Sequence, residues 1–281
     1  MKNKFLHYFI ILLVFLYGIT LIGCGNIPND PVDYNNDLKE VSPENIDLDH
    51  FIIEEGKTYY TNTDGSLKSG MIYVGGKWYY FNEDTYEAEG GWKEIEGLKY
   101  YFDPETKERA AGITEVDGTE YFFGITKGKM MLGWVNWNGN KYYTDPETGI
   151  IASGVTEVEG KDYYFNKTSH KLMYGTIKDG EKTYYTNVDG TLKSGMINVS
   201  GKWYYFNEET YEAESGFKEV DGLTYYFDPE TKIRAAGITE VDGQKYFFGI
   251  TKGKMMLGWV NWIGNRYYTD PETGYLASGV T

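Results

Sequence analysis

From about Phe51 onward, apolar and polar positions alternate in short bursts separated by glycine. After Gly70, Ile72 and Val74 alternate with Met71 and Tyr73, the period of two that marks a β-strand. Gly75-Gly76 interrupts the run, and Lys77-Trp78-Tyr79-Tyr80-Phe81 returns. Elsewhere the interruption is Glu96-Gly97, Asp117-Gly118, Asn138-Gly139, Asp221-Gly222 or Asp242-Gly243. Asn-Gly and Asp-Gly between apolar runs predict a tight hairpin, because both central residues need positive φ. Ile263-Gly264 departs from this rule, since a β-branched residue tolerates positive φ badly; a different turn or local strain is expected there. A looser return follows each hairpin, as in Asp103-Pro104-Glu105-Thr106, where Pro suits the second position of a turn.

The unit recurs every ~21 residues, within the range that signals stacked supersecondary units. Gly70, Gly91, Gly112, Gly133, Gly154, Gly175, Gly195, Gly216, Gly237, Gly258 and Gly279 open successive units. One such unit cannot bury its own apolar face, so the expected fold is an all-β solenoid of tandem β-hairpin repeats. On the returning strand, the Tyr79 position and the Phe or Thr two residues on share a face, which should be the stacked interior. The position before that Tyr is polar in most units, as at Lys99, Glu120, Lys141 and Lys245, and should be wet. Trp78 and Trp203 are the exceptions.

A longer period overlies the short one. Segment 58–156 recurs as 183–281, with about 17 differences in about 99 positions. The repeats therefore span 51–281, and 176–281 holds the second block. That block stops at Gly279-Val280-Thr281 without a polar capping unit, so either the chain continues or the last complete hairpin caps itself.

The amino-terminal part differs. Lys2 and Lys4 precede an apolar run from Phe5 to Gly23, the layout of an export signal over 1–23. The run ends Leu21-Ile22-Gly23-Cys24, which resembles a bacterial lipoprotein signal with a lipid on Cys24; an uncut transmembrane anchor is the alternative. Either places the repeats outside the membrane, at the bacterial cell surface. Residues 24–50 are rich in Asn, Asp, Pro and Glu and read as a disordered tether. Cys24 is the single cysteine, so no disulfide framework exists within the chain. The formal net charge of -15 argues against nucleic acid as a partner.

Enzymatic constellations are missing from the sequence. His7, His50 and His170 are the three histidines, at no metal-ligand spacing, with His170 alone in a loop. Carboxylates such as Asp145 and Glu147 recur as turn residues. The expectation is a non-catalytic chain with no cofactor and no metal. Aromatic surface is what remains, and it suits sugar rings and cations. Trp78 and Tyr80 share a face, and Trp92 should meet them at the junction between hairpins; Trp203, Tyr205 and Phe217 repeat this set. Tyr101, Tyr226, Trp134 and Trp259 complete the candidate binding residues. Trp137 and Trp262 stand where other units carry Val116 or Val241 and should be core, with Met130, Met131, Met255 and Met256 as gap-fillers.

The tandem pattern of Gly-Trp, a Gly-ended turn and Lys-Trp-Tyr-Tyr-Phe resembles the cell-wall-binding repeat family. That family includes choline-binding modules, glucan-binding repeats and the C-terminal repeats of clostridial toxins. The resemblance covers nearly all of the chain from Ile52 and implies a hairpin solenoid that binds wall polysaccharide or another glycan, with choline or a purely structural or adhesive stalk as alternatives. Choline recognition in the family uses a Trp after the opening Gly and a Trp before Tyr-Tyr in one hairpin. No unit here carries both, so sugar binding is expected to fit better than a three-sided choline cage.

Overall fold

The structure, a computed structural model, describes residues 50–277. The signal segment, Cys24 and nearly all of the tether lie outside these residues, as does Gly279. Among the described residues, 22 strands pair as 11 antiparallel hairpins, each its own two-stranded sheet. Strand Gly91–Ile95 pairs with Leu98–Phe102, for example, placing Trp92 opposite Tyr101 and Glu94 opposite Lys99. The turns have positive φ at both central residues, as at Asp117 (50°) and Gly118 (77°), except at Gly180-Glu181, where only Gly180 does; such turns match the twist of the strands they join. Ile263 adopts the same turn with φ 50°. The strain expected from its β-branch is therefore present, without a change of turn.

The hairpins are joined by their loops rather than by a shared sheet. After hairpin 91–102, the Asp103 carboxylate accepts hydrogen bonds from the amides of Glu105 (2.9 Å) and Thr106 (2.7 Å), which curls the loop. The chain then runs between two hairpins. The Ala110 amide donates to Tyr101 O of its own hairpin, and the Arg109 amide donates to Trp78 O of the one before, both at 2.8 Å. The same pair of bonds recurs one unit on, from Met131 to Phe122 O and from Met130 to Lys99 O. The residue before each Tyr pair is thus the docking point for the next unit's loop.

The fixed core position is the last aromatic of the returning strand. Phe81, Phe102, Phe123, Phe165, Phe227 and Phe248 are completely buried. Threonine takes that place in four units, buried at Thr61 and Thr186 and completely buried at Thr144 and Thr269. The hydroxyls of the last two donate to backbone carbonyls, Thr144 to Met131 O (2.8 Å) and Thr269 to Met256 O (2.6 Å), so the buried polar group is satisfied.

Two expectations about the strand faces need correction. The Tyr79 face is interior, but the opposite face is covered as well: Phe122, Tyr143, Tyr164, Tyr226 and Phe247 are buried at the middle position. The position expected to be wet is also mixed, with Thr183 buried and Trp78 and Trp203 half-buried. The physical reason is the docked loop, which covers the strand on the side away from the hairpin's own partner. His170 is not alone either. It is buried, with Nε2 2.7 Å from Glu120 Oε2 and Nδ1 3.0 Å from Ala152 O, linking its loop to a hairpin 50 residues earlier.

Candidate aromatic binding corners

Trp92 stands at the second position of its hairpin, directly across from Tyr101. Their ring centroids are 5.3 Å apart, and Tyr121 of the following hairpin closes a third side, 5.0 Å from Trp92 and nearly perpendicular to it. Fully buried Phe123 forms the floor at 5.7 Å. The arrangement recurs at Trp134, with Tyr143 and Tyr163 each at 5.2 Å and Phe165 at 6.0 Å. It recurs again at Phe217, with Tyr226 at 4.9 Å and Tyr246 at 5.1 Å. Phe51 makes a further corner with Tyr60 and Tyr79, which the sequence did not single out.

The opening aromatic is the most exposed member of each corner: Trp92 40%, Trp134 37% and Phe217 43% accessible. A ligand therefore reaches these rings without any rearrangement of the core. Trp259 is 53% accessible and pairs with Tyr268 at 5.0 Å, while the guanidinium of Arg266 lies 4.1 Å from its centroid. Its face carries a cation supplied by the chain itself.

Carboxylates lie near the tyrosine hydroxyls of the corners. Burial pushes the Tyr101 hydroxyl up, and the nearby carboxylates of Asp117 and Asp103 push it further. Tyr226 is raised by burial and then by Asp242 and Asp228; Tyr143 by burial and then by Asp145 and Glu159. The phenols stay neutral, and the same carboxylates favour a cation at the rings.

Of the expected residues, Trp92, Tyr101, Phe217, Tyr226 and Trp134 belong to such corners. The expected set of Trp78, Tyr80 and Trp92 does not form: among the described residues, no ring pair joins Trp92 to Trp78 or Tyr80. Tyr80 lies 6.0 Å from Phe102, and Tyr205 6.2 Å from Phe227, as packing between hairpins. Trp78 carries the Arg109 guanidinium 5.2 Å from its ring centroid, and Trp203 carries Arg234 at the same distance. Arg109 also donates to Lys127 O and Thr126 O, both at 3.0 Å. The ring face expected to meet a ligand is thus occupied from within, because loop docking brings Arg109 over it. Trp137 packs on Phe122 (5.6 Å) and Tyr142 (6.0 Å), on the core side as expected.

The residues missed are Tyr121, Tyr163 and Tyr246, each contributed by the following hairpin. Three rings nevertheless meet here, although no hairpin carries a Trp both after its opening Gly and before its Tyr pair. Tyr101 takes the part expected of a second Trp, and Tyr121 adds the third wall.

Segments 72–84, 133–147 and 197–209 match the sequence profile described as "Putative cell wall binding repeat". No curated protein sequence matches the chain. Among solved structures, CbpJ from Streptococcus pneumoniae TIGR4 superposes with a TM-score of 0.52 at 23% identity, covering 81% of this chain and 94% of CbpJ. Choline binding protein F from Streptococcus pneumoniae, solved in the presence of a peptidoglycan analogue, gives 0.50 at 22% identity, covering 83% and 94%. The fold is choline-binding-module-like. The matched segments run from the outgoing strand through the Tyr-Tyr strand, and they include Trp78, Trp134 and Trp203 but neither Trp92 nor Phe217.

Proposed function

We propose that this chain is a non-catalytic binding module for bacterial wall polymers, and that its aromatic corners take a quaternary ammonium substituent of the choline class. The observation that carries this reading is the Trp92, Tyr101 and Tyr121 cluster, in which Trp92 is accessible beside an open cavity and the carboxylates of Asp117 and Asp103 lie near the Tyr101 hydroxyl. Ring quadrupoles attract a cation that sheds little water, at about 0.5–2 kcal/mol per ring contact. A neutral sugar would stack on one ring but would gain nothing from Asp103 and Asp117. The match of three segments to the wall-binding repeat supports the wall as the source of ligand. Repetition of the corner along the chain adds avidity towards a polymer, which ties several weak contacts together. Cys24 is proposed to hold the module at the cell surface through a lipid, and Cys24→Ala should release it.

The test is retention of the full chain on a choline-derivatised matrix, with elution by free choline and an array of neutral glucans in parallel. Retention and competitive elution support the reading. Binding to neutral glucans with none to choline overturns the quaternary ammonium assignment in favour of sugar stacking.

A further inference from the structure

The Trp92 and Phe217 corners are copies that differ, among other positions, at Lys99, whose place Thr224 takes. Beside Trp92 lies an open cavity of about 440 Å³, lined by Trp92, Tyr121, Met130, Lys93, Glu94 and Lys99, among others. Lys93 is engaged with Glu89 at 2.5 Å. Lys99 makes no ion pair among the described residues, although Glu94 stands directly across the hairpin. The cavity wall therefore holds two rings of the corner, Trp92 and Tyr121, a carboxylate and an uncommitted ammonium. In the second copy Glu219 keeps the place of Glu94, Lys218 is engaged with Glu214, and Thr224 stands opposite Glu219 where Lys99 would be.

A lone ammonium beside a cation site repels a bare cation and attracts an anion. Glu94 and Lys99 together complement a ligand with both charges. We infer that Lys99 is a specificity residue: it makes the Trp92 corner prefer a zwitterionic headgroup, a quaternary ammonium bearing a phosphate, over the bare quaternary ammonium. The Phe217 corner, with Thr224, lacks that preference. This rests on the quaternary ammonium reading proposed above.

The test titrates the full chain with choline and with phosphocholine at low salt, for the wild type, Lys99→Thr and Thr224→Lys. Both substitutions copy residues the chain already uses at equivalent places, so folding is expected to survive. Lys99→Thr should weaken phosphocholine by about two- to fivefold, as expected for one exposed charge pair, while choline binding holds or rises. Thr224→Lys should tighten phosphocholine at a second class of site. Added salt should weaken both effects, as it does any exposed charge pair. Co-sedimentation with phosphatidylcholine vesicles separates a lipid headgroup from a soluble or polymer-borne one; a Lys99-dependent preference from either source supports the inference. If choline binds but the phosphocholine-to-choline ratio is the same in all three proteins, the inference fails and the proposed function stands. If the wild type binds neither compound, both fail.

Discussion

The two blocks, 58–156 and 183–281, keep one set of positions and vary another. The buried last aromatic is held, with Phe102 and Phe227 both completely buried and Thr144 and Thr269 both satisfied by carbonyls. The Arg109 and Trp78 contact is also held, as Arg234 and Trp203 at the same 5.2 Å. What varies lies at the rims and turns. Trp92 faces Phe217, Lys99 faces Thr224, Ile150 faces Tyr275, Glu120 faces Lys245 and Asn138 faces Ile263. Tyr275 even adds a ring to the second corner, 5.4 Å from Tyr246. The comparison separates the scaffold from the surface it carries: the buried stacking positions stay apolar or satisfied, with at most Ile151 exchanged for Leu276, whereas those that only line a corner change character.

The strongest way to break that comparison is to attack the shared core. Phe102→Ala and Phe227→Ala should each cost about 3–5 kcal/mol, because a large buried ring leaves a cavity. Denaturant unfolding of the two variants should show similar losses. A small loss for one of them would mean that its block is not packed as described.

Next comes the His170 contact with Glu120, a position that the second block fills with Lys245. Glu120→Lys imposes that choice on the first block and leaves buried His170 Nε2 facing an ammonium. A loss of about 1–3 kcal/mol is expected from the unmatched buried polar group. Glu120→Gln, which can still hydrogen-bond, should cost less.

The turn residues sharpen the comparison in the other direction. Ile263→Asn should stabilise the second block by about 1 kcal/mol by relieving the left-handed conformation of a β-branched residue, and Asn138→Ile should destabilise the first by a similar amount. Thermal unfolding of the pair reads both signs.

Acid should affect the blocks alike and least. Backbone amides of Thr106, Thr148, Thr231 and Thr273 hold the carboxyls of Asp103, Asp145, Asp228 and Asp270 below their ordinary range. The folded values lie below the unfolded ones, so this stabilisation is complete above about pH 4 and is lost as pH falls through the depressed values. The unfolding midpoint should decline below that pH, and Asp103→Asn should flatten part of the decline.

Much of the scaffold was legible in the sequence. The period of two, the Gly-ended turns and the recurring Phe or Thr after the aromatic pair are local signals, and each maps onto a strand, a turn or the core. The corners were half legible. Trp92 and Tyr101 face each other within one hairpin, which register can give, but Tyr121 arrives from the next hairpin. How one hairpin rotates onto the next is set by loop docking, and no repeat length encodes it. The same docking places Arg109 over Trp78, and so turned an apparently open tryptophan into a covered one. His170 and Glu120 are 50 residues apart, beyond any local pattern.

The central claim is that the corners bind and the Trp78-type positions only hold the loops. It is tested most directly by comparing two double variants, Trp92→Ala with Phe217→Ala and Trp78→Ala with Trp203→Ala, for binding to a choline matrix and for thermal unfolding. The account predicts that the first pair keeps most of its stability and loses most of its retention, whereas the second pair melts earlier and, while folded, is retained like the wild type. Loss of retention in a folded second pair, with the first pair unaffected, would contradict it.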